Sequence, residues 1–220
     1  MPIILNIDTS GETASVCLSK DGDLAGLAVN TNQRDHAAWL HGAIQDLIKN
    51  TGMTLGDLEA VAISIGPGSY TGLRIGLSAA KGLCYALNIP LISINTLQMI
   101  AHAVIKEGVE LICPLIDARR MEVFTAIYSK TLEEIKKPFA MVIGKDSFGD
   151  ILATNRIIFC GNGSKKLQDV LCHDNAIFDD SIATAADLRF FAKNYFQEKN
   201  FANVAYTEPY YLKEFYFHSR

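Results

Sequence analysis

The stretch Ala60-Val61-Ala62-Ile63-Ser64-Ile65-Gly66-Pro67-Gly68-Ser69-Tyr70-Thr71-Gly72-Leu73-Arg74 decides the fold. An apolar segment rich in β-branched residues runs into a Gly-Pro-Gly turn, and a serine suited to a helix N-cap follows. A mostly apolar helical stretch continues from Ser69 to Leu87. Strand, turn and helix in that order make an α/β layer. The turn residues Gly66, Gly68, Ser69 and Thr71 have two readings. Their backbone N–H groups suit an anion at a helix start, and their glycines suit close packing, which local chemistry favours. No Gly-Lys-Ser/Thr follows, and Thr71 stands where a G-x-G-x-x-G fingerprint needs its third glycine.

The helix beyond the turn carries two apolar stripes. Leu73, Leu77, Ala80, Cys84 and Leu87 form one, and Gly72, Gly76, Ala79, Leu83 and Ala86 form the other. A helix apolar on most of its circumference is covered on most of it. One stripe is expected on the sheet and the small-residue stripe on a second helix, in the same chain or another.

Working outward, Ile3 to Ile7 and Ala14 to Ser19 read as a hairpin around Asp8-Thr9-Ser10-Gly11, with a third strand from Leu24 to Val29. Ala37, Leu40, Ala43, Ile44, Leu47 and Ile48 predict an amphipathic helix over His36 to Asn50, and Leu91 to Ile94 predicts another strand. The first half ends near residue 104. Ile112 to Asp117 then repeats the strand ending in Asp8, and Ile157 to Cys160 enters Gly161-Asn162-Gly163-Ser164 much as Ile63 to Ile65 enters the Gly66 turn. This predicts two related α/β halves, 1–104 and 105–220, with the extreme C-terminal segment packing back on the first. Residues 189–220 hold eleven of the twenty aromatic residues. Phe191, Tyr195 and Phe196 predict a helix packed on the core, and Phe215, Tyr216 and Phe217 lie in a tail available to a partner.

Composition sets limits. The chain has 220 residues, 49% of them hydrophobic, and a formal net charge of -4. At this size roughly 70% of the unfolded chain's surface is buried on folding, so no disulfide scaffold is needed. Five cysteines without a C-x-x-C pair read as reduced thiols. Bulk charge does not suit nucleic-acid binding. No basic leader and no apolar run of about 18 residues is present, so a cytoplasmic location without membrane attachment is expected.

No catalytic residue and no metal site emerges. His36 and His41 are five apart, roughly 140° around a helix, and cannot share a ligand face. H-E-x-x-H and G-x-S-x-G are absent. Asp8 and Asp117 end strands, where a carboxylate either holds Mg2+ near phosphates or caps an Asx-turn, the reading we favour. Arg119-Arg120 after Asp117 reads as an anion contact or as a solvated ion pair.

Together, Ile7-Asp8-Thr9-Ser10, the segment Ser64 to Gly76, Asp117-Ala118-Arg119-Arg120 with Glu122-Val123, Gly161-Asn162-Gly163, and Pro209-Tyr210-Tyr211-Leu212 resemble the TsaB (YeaZ) family over nearly the whole chain. That family supplies the partner subunit in bacterial biosynthesis of threonylcarbamoyladenosine on tRNA. The resemblance implies an actin-like, Hsp70-like ATPase (ASKHA) fold of two related halves. The similar catalytic family, TsaD, carries an Asn-His-Leu-Glu-Gly-His segment where this chain has Asn95-Thr96-Leu97-Gln98-Met99-Ile100, so Thr96 and Ile100 replace its two metal-binding histidines.

The resemblance therefore implies a non-catalytic scaffold that activates a TsaD-like subunit for transfer of threonylcarbamoyl to adenosine 37 of tRNAs reading ANN codons. A TsaE-like ATPase is a further partner, tRNA contact is indirect, and the chain alone forms a homodimer. His36, Leu40, Ile44, Gly72, Gly76, Ala79 and Leu83 are the expected interface. A bulky residue at Gly76 or Ala79 is expected to weaken partner binding more than folding. No nucleotide is expected to bind this chain independently; a site at the joint interface is compatible with the resemblance. The competing readings are a metal-dependent, glycoprotease-like peptidase and a small-molecule kinase of the same fold.

Overall fold

The computed structural model describes residues 1–32, 35–104 and 108–213. Phe215, Tyr216 and Phe217 of the aromatic tail lie outside the described residues. Two compact units form: Met1–Met99 with Ala183–Tyr210, and Ile100–Ile182 with residues 211–213.

The first unit runs β1 (Ile3–Asp8), β2 (Ala14–Lys20), β3 (Asp23–Asn30), α1 (His36–Asn50), β4 (Ala60–Ser64), α2 (Tyr70–Leu87), β5 (Leu91–Ile94) and the start, as far as Met99, of α3 (Thr96–His102). The second runs β6 (Leu111–Asp117), β7 (Glu122–Ser129), β8 (Glu134–Val142), α4 (Gly149–Leu152), β9 (Ile157–Cys160), α5 (Ser164–Gln168) and β10 (Ala176–Phe178), and the helix α6 (Ala185–Gln197) comes next. The strand orders are β3-β2-β1-β4-β5 and β8-β7-β6-β9-β10, the same order twice. In each sheet the first three strands pair antiparallel and the last two add in parallel. Antiparallel neighbours need only a tight turn, whereas parallel ones need a crossover, which α1 and α2 supply in one unit and α4 and α5 in the other. This duplicated mixed α/β sheet is the actin-like ASKHA fold.

β1 is central in its sheet, and its residues from Ile4 to Asp8 are buried. Val16 and Leu18 share a core with Leu40, Leu47, Leu77 and Ala80 of α1 and α2. On the alternate face of β2, the Ser15 hydroxyl accepts from the Ala185 N–H at the start of α6. The sheet is thus covered on both sides, as continuous apolar strands require.

Boundaries at 104 and 105 assign α6 to the second half, but its contacts are with β1, β2, β4 and β5. Leu188, Phe191 and Ala192 are buried there, because the first sheet has an apolar face that α1 and α2 leave open. The chain then returns over the same unit. Ala202 bridges to Leu91, the Lys81 ammonium donates to the Ala205 and Thr207 carbonyls, and the Tyr210 N–H donates to the Ile65 carbonyl.

Candidate functional site

The junction between β4 and α2 is built by backbone approach. Gly68, Gly72 and Gly76, four residues apart on one line, face the turn that closes the β1–β2 hairpin. A Cβ at Gly68 would lie 2.4 Å from the Ser10 carbonyl oxygen, one at Gly72 would lie 2.0 Å from that of Thr9, and one at Gly76 would lie 2.3 Å from the Thr9 hydroxyl. Thr9 Oγ1 donates to the Gly72 carbonyl at 2.7 Å, fixing the contact from the other side. Gly66, at φ +121°, lies against the Tyr210 carbonyl, where a Cβ has no room.

Three N–H groups around the turn that would greet an anion already have acceptors. Ser69 N–H donates to the Ser10 carbonyl, Gly72 N–H to the Ser69 hydroxyl as the helix N-cap, and Gly66 N–H to Thr96 Oγ1. Thr71, also in the expected anion turn, is exposed on the first turn of α2. The geometry is that of a packing turn.

Asp8 lies beneath this junction, and its Oδ1 accepts from the Ser10 N–H at 3.0 Å, the Ser10 hydroxyl at 2.6 Å and the Ser64 hydroxyl at 2.5 Å. The Ser10 N–H bond is an Asx-turn. Burial pushes the carboxyl above its ordinary value, and the three hydrogen bonds offset only part of that. Thr9 and Ser10 are themselves buried, so the first hairpin turn offers no open cradle for a phosphate.

The second unit repeats the arrangement with different chemistry. Gly161, at φ +83°, has its missing Cβ 2.6 Å from the Leu115 carbonyl oxygen, and Gly163 N–H donates to that same carbonyl. Asp117 Oδ1 accepts from the Arg119 N–H at 2.6 Å and from the Lys166 ammonium. Partial burial raises its pKa, but the Lys166 hydrogen bond, the Arg119 N–H and both cations outweigh that and hold it below the usual carboxylate range. Arg119, Arg120 and Met121 follow with φ of 69°, 45° and 58°.

The expected interface needs correction. His36, Leu40, Ile44, Gly72, Gly76 and Ala79 are buried inside the chain itself, and only Leu83 is half-buried. The small-residue stripe meets the β1–β2 turn because glycine lets backbone meet backbone there, so a bulky residue at Gly76 strikes Thr9 and Ile63 before it reaches any partner. The outward face of α2 is instead Ile75, Ser78, Gly82, Tyr85 and Ala86, with Tyr85 87% exposed and open space around Gly82. The glycine spacing at 68, 72 and 76 is the sequence signal that distinguishes the stripes, because small residues every four positions mark close approach.

Thr96 also has an internal task. Buried at the start of α3, it accepts from the Gly66 N–H through its hydroxyl and donates its own N–H to the Gly66 carbonyl, while Ile100 offers only hydrocarbon. These two residues do not fit a metal ion held as the TsaD histidines hold theirs. Among the described residues no group of three or more His, Cys, Asp or Glu side chains could hold a metal ion, and no helix is long and apolar enough to cross a membrane.

A family model described as TsaD: tRNA N6-adenosine threonylcarbamoyltransferase matches residues 24–212. The tRNA threonylcarbamoyladenosine biosynthesis protein TsaB of Escherichia coli (strain K12) is 30% identical over 224 residues, covering 96% of this chain and 94% of that protein. The chain belongs to the TsaB/YeaZ family. TsaB of Bacillus subtilis (strain 168) is 34% identical over 125 residues, 57% of this chain and 54% of that protein. YeaZ from Pseudomonas aeruginosa superposes with a TM-score of 0.84 at 26% identity, covering 96% of this chain and all of that one. A second Pseudomonas aeruginosa structure, an uncharacterized protein with similarity to peptidase YEAZ, gives a TM-score of 0.86 at 26% identity over 97% of this chain. The TsaB/YeaZ assignment places the chain in a family of tRNA threonylcarbamoyladenosine biosynthesis proteins.

Proposed function

We propose that this chain is the non-catalytic scaffold subunit of the assembly that transfers threonylcarbamoyl to N6 of adenosine 37 in tRNAs reading ANN codons, pairing with a TsaD-like catalytic subunit and holding it in its active form. Thr96 is the observation that carries the reading. At a position where the catalytic relatives carry a metal-binding histidine, this chain has a buried hydroxyl that clamps the Gly66 turn of its own fold. The residue has exchanged a ligand's task for a structural one.

The docking surface in this reading is the outer face of α2 with neighbouring Trp39 and Gly42 of α1. Its glycines at 42 and 82 admit another helix closely. A second copy of the chain occupies this face when no partner is present, and a TsaE-like ATPase joins the paired complex. Buried Thr9 and Ser10 support placing any nucleotide at a surface shared with the partner. The peptidase alternative needs a metal and a water-activating group, and Thr96 and Ile100 supply neither.

Size-exclusion chromatography with light scattering tests the pairing. The full chain mixed with a TsaD-like subunit should run as one heteromeric species. Separate elution of the two proteins at micromolar concentration would contradict the scaffold reading.

A further inference from the structure

We propose that the turn carrying Arg119 and Arg120 contacts the phosphodiester backbone of the tRNA. The proposal rests on the scaffold reading above, and it puts a direct tRNA contact in place of the indirect one that the family resemblance implies.

The bland interpretation of two arginines after an aspartate is an ion pair with it, and the geometry assigns that aspartate elsewhere. Asp117 is bound by the Lys166 ammonium and by the Arg119 backbone N–H, and the Arg119 guanidinium acts on it only through its charge, without an ion pair. Glu122, the next carboxylate in the sequence, is paired at 2.5 Å with Lys213. The two acidic groups flanking the turn are therefore each held by a lysine, and among the described residues neither guanidinium has an ion-pair partner. Both arginines are exposed.

The backbone adds to this. Three successive non-glycine residues in the left-handed region are uncommon, each at some cost in conformational energy. The surroundings hold them there. Ala118 N–H donates to the Glu122 carbonyl, Glu122 N–H to the Arg119 carbonyl, and Ile143 N–H to the Met121 carbonyl. A tight, bonded turn thus presents two adjacent guanidinium groups whose fork of donors matches phosphate oxygens. Because they stand exposed on a turn, they suit the backbone of a polyanion, whereas a mononucleotide takes an enclosed pocket. A net acidic chain with a local cationic turn contacts RNA at that turn, without bulk attraction.

The test uses the reconstituted complex of the full chain with its TsaD-like partner, titrated with an unmodified transcript of an ANN-reading tRNA at increasing KCl. Each lost phosphate contact lowers the slope of log affinity against log salt by about 1, so Arg119→Gln/Arg120→Gln should lower it by about 2 and weaken binding roughly tenfold or more. Arg119→Lys/Arg120→Lys should restore the slope, since the charge is kept. The single Gln variants, expected to lose about 1 each, serve if the double variant does not fold. An unchanged slope with intact partner association overturns the RNA contact and leaves the scaffold reading standing. ATP titration of the same complex provides the second arm, in which weakened nucleotide binding with an unchanged tRNA slope assigns the arginines to nucleotide phosphates and overturns the proposal. Failure of the scaffold reading itself shows separately, as tRNA modification that proceeds without this chain.

Discussion

Thr9 and Gly72 hold each other at backbone contact. The Thr9 hydroxyl donates to the Gly72 carbonyl at 2.7 Å, and a Cβ on Gly72 would stand 2.0 Å from the Thr9 carbonyl oxygen. The end of β1 and the first turn of α2 therefore have no slack between them, and the hairpin turn is sealed beneath the helix.

Gly72→Ala should destabilise the chain by about 3 kcal/mol or more, since the added methyl strikes the Thr9 carbonyl and no rotamer can relieve it. Urea denaturation measures this. A loss below about 1 kcal/mol would mean that the junction yields, and the sealed-turn account would be wrong.

Gly82 lies on the same helix with open space around it. Gly82→Ala should stabilise by roughly 0.5–1 kcal/mol through helix propensity alone. Gly82→Arg and Tyr85→Ala should leave the melting temperature within a few degrees of wild type while weakening association with the TsaD-like subunit by about tenfold or more. Calorimetric titration and thermal melting together separate the two effects. Gly76→Leu should do the reverse of what stripe counting predicts, unfolding the chain because the side chain enters the Thr9 contact.

Asp8 supplies a pH dependence with a definite sign. Its folded-state pKa is raised above the ordinary 3.8, first by burial. Across the window between the ordinary and raised values the folded chain keeps a proton that the unfolded chain releases, so this group's contribution falls as pH rises through the window. Asp8→Asn retains an oxygen acceptor for Ser10 and Ser64 without the charge. The stability of the variant minus that of wild type should grow from acid to neutral pH in paired urea titrations. A difference that shrinks over that range would show the carboxylate to be stabilising when ionised. Asp117, with a lowered pKa, works in the opposite sense, its contribution being lost as pH falls through the depressed value.

The thiols should separate cleanly. Cys17, Cys84, Cys113 and Cys160 are buried and Cys172 is exposed. Burial pushes Cys17 and Cys113 up to about 12 and Cys84 to about 11. Thiolate is the nucleophile in alkylation, so brief iodoacetamide treatment of the native chain should add one group by intact mass. Rapid addition of several would show the core to be open.

Much of this architecture is legible in the sequence, for reasons particular residues make plain. Asp8 and Asp117 end strands that occupy matching places in the two sheets, and the predicted helix over His36 to Asn50 coincides with α1. Continuous apolar strands and helical periodicity carry that information. Periodicity does not reveal what opposes a helix face, and so the stripe of Gly72 and Gly76 reads as an intermolecular surface until Thr9 is seen against it. Helix α6 was equally ambiguous, because its amphipathic pattern fits either sheet and only the vacant face beside Ser15 selects one. Lys166 and Lys213 are far in sequence from the carboxylates they hold, 49 and 91 residues away, and no local pattern announces them.

Reconstituted tRNA modification tests the central claim most directly. An ANN-reading tRNA transcript is incubated with the adenylate-forming enzyme, the TsaD-like subunit and the TsaE-like ATPase, with and without this chain, and threonylcarbamoyladenosine is measured by mass spectrometry of the digested nucleosides. The account predicts modification that requires this chain and survives Thr96→Val, provided that the variant folds. Full modification in its absence, or activity of this chain without the TsaD-like subunit, would contradict it.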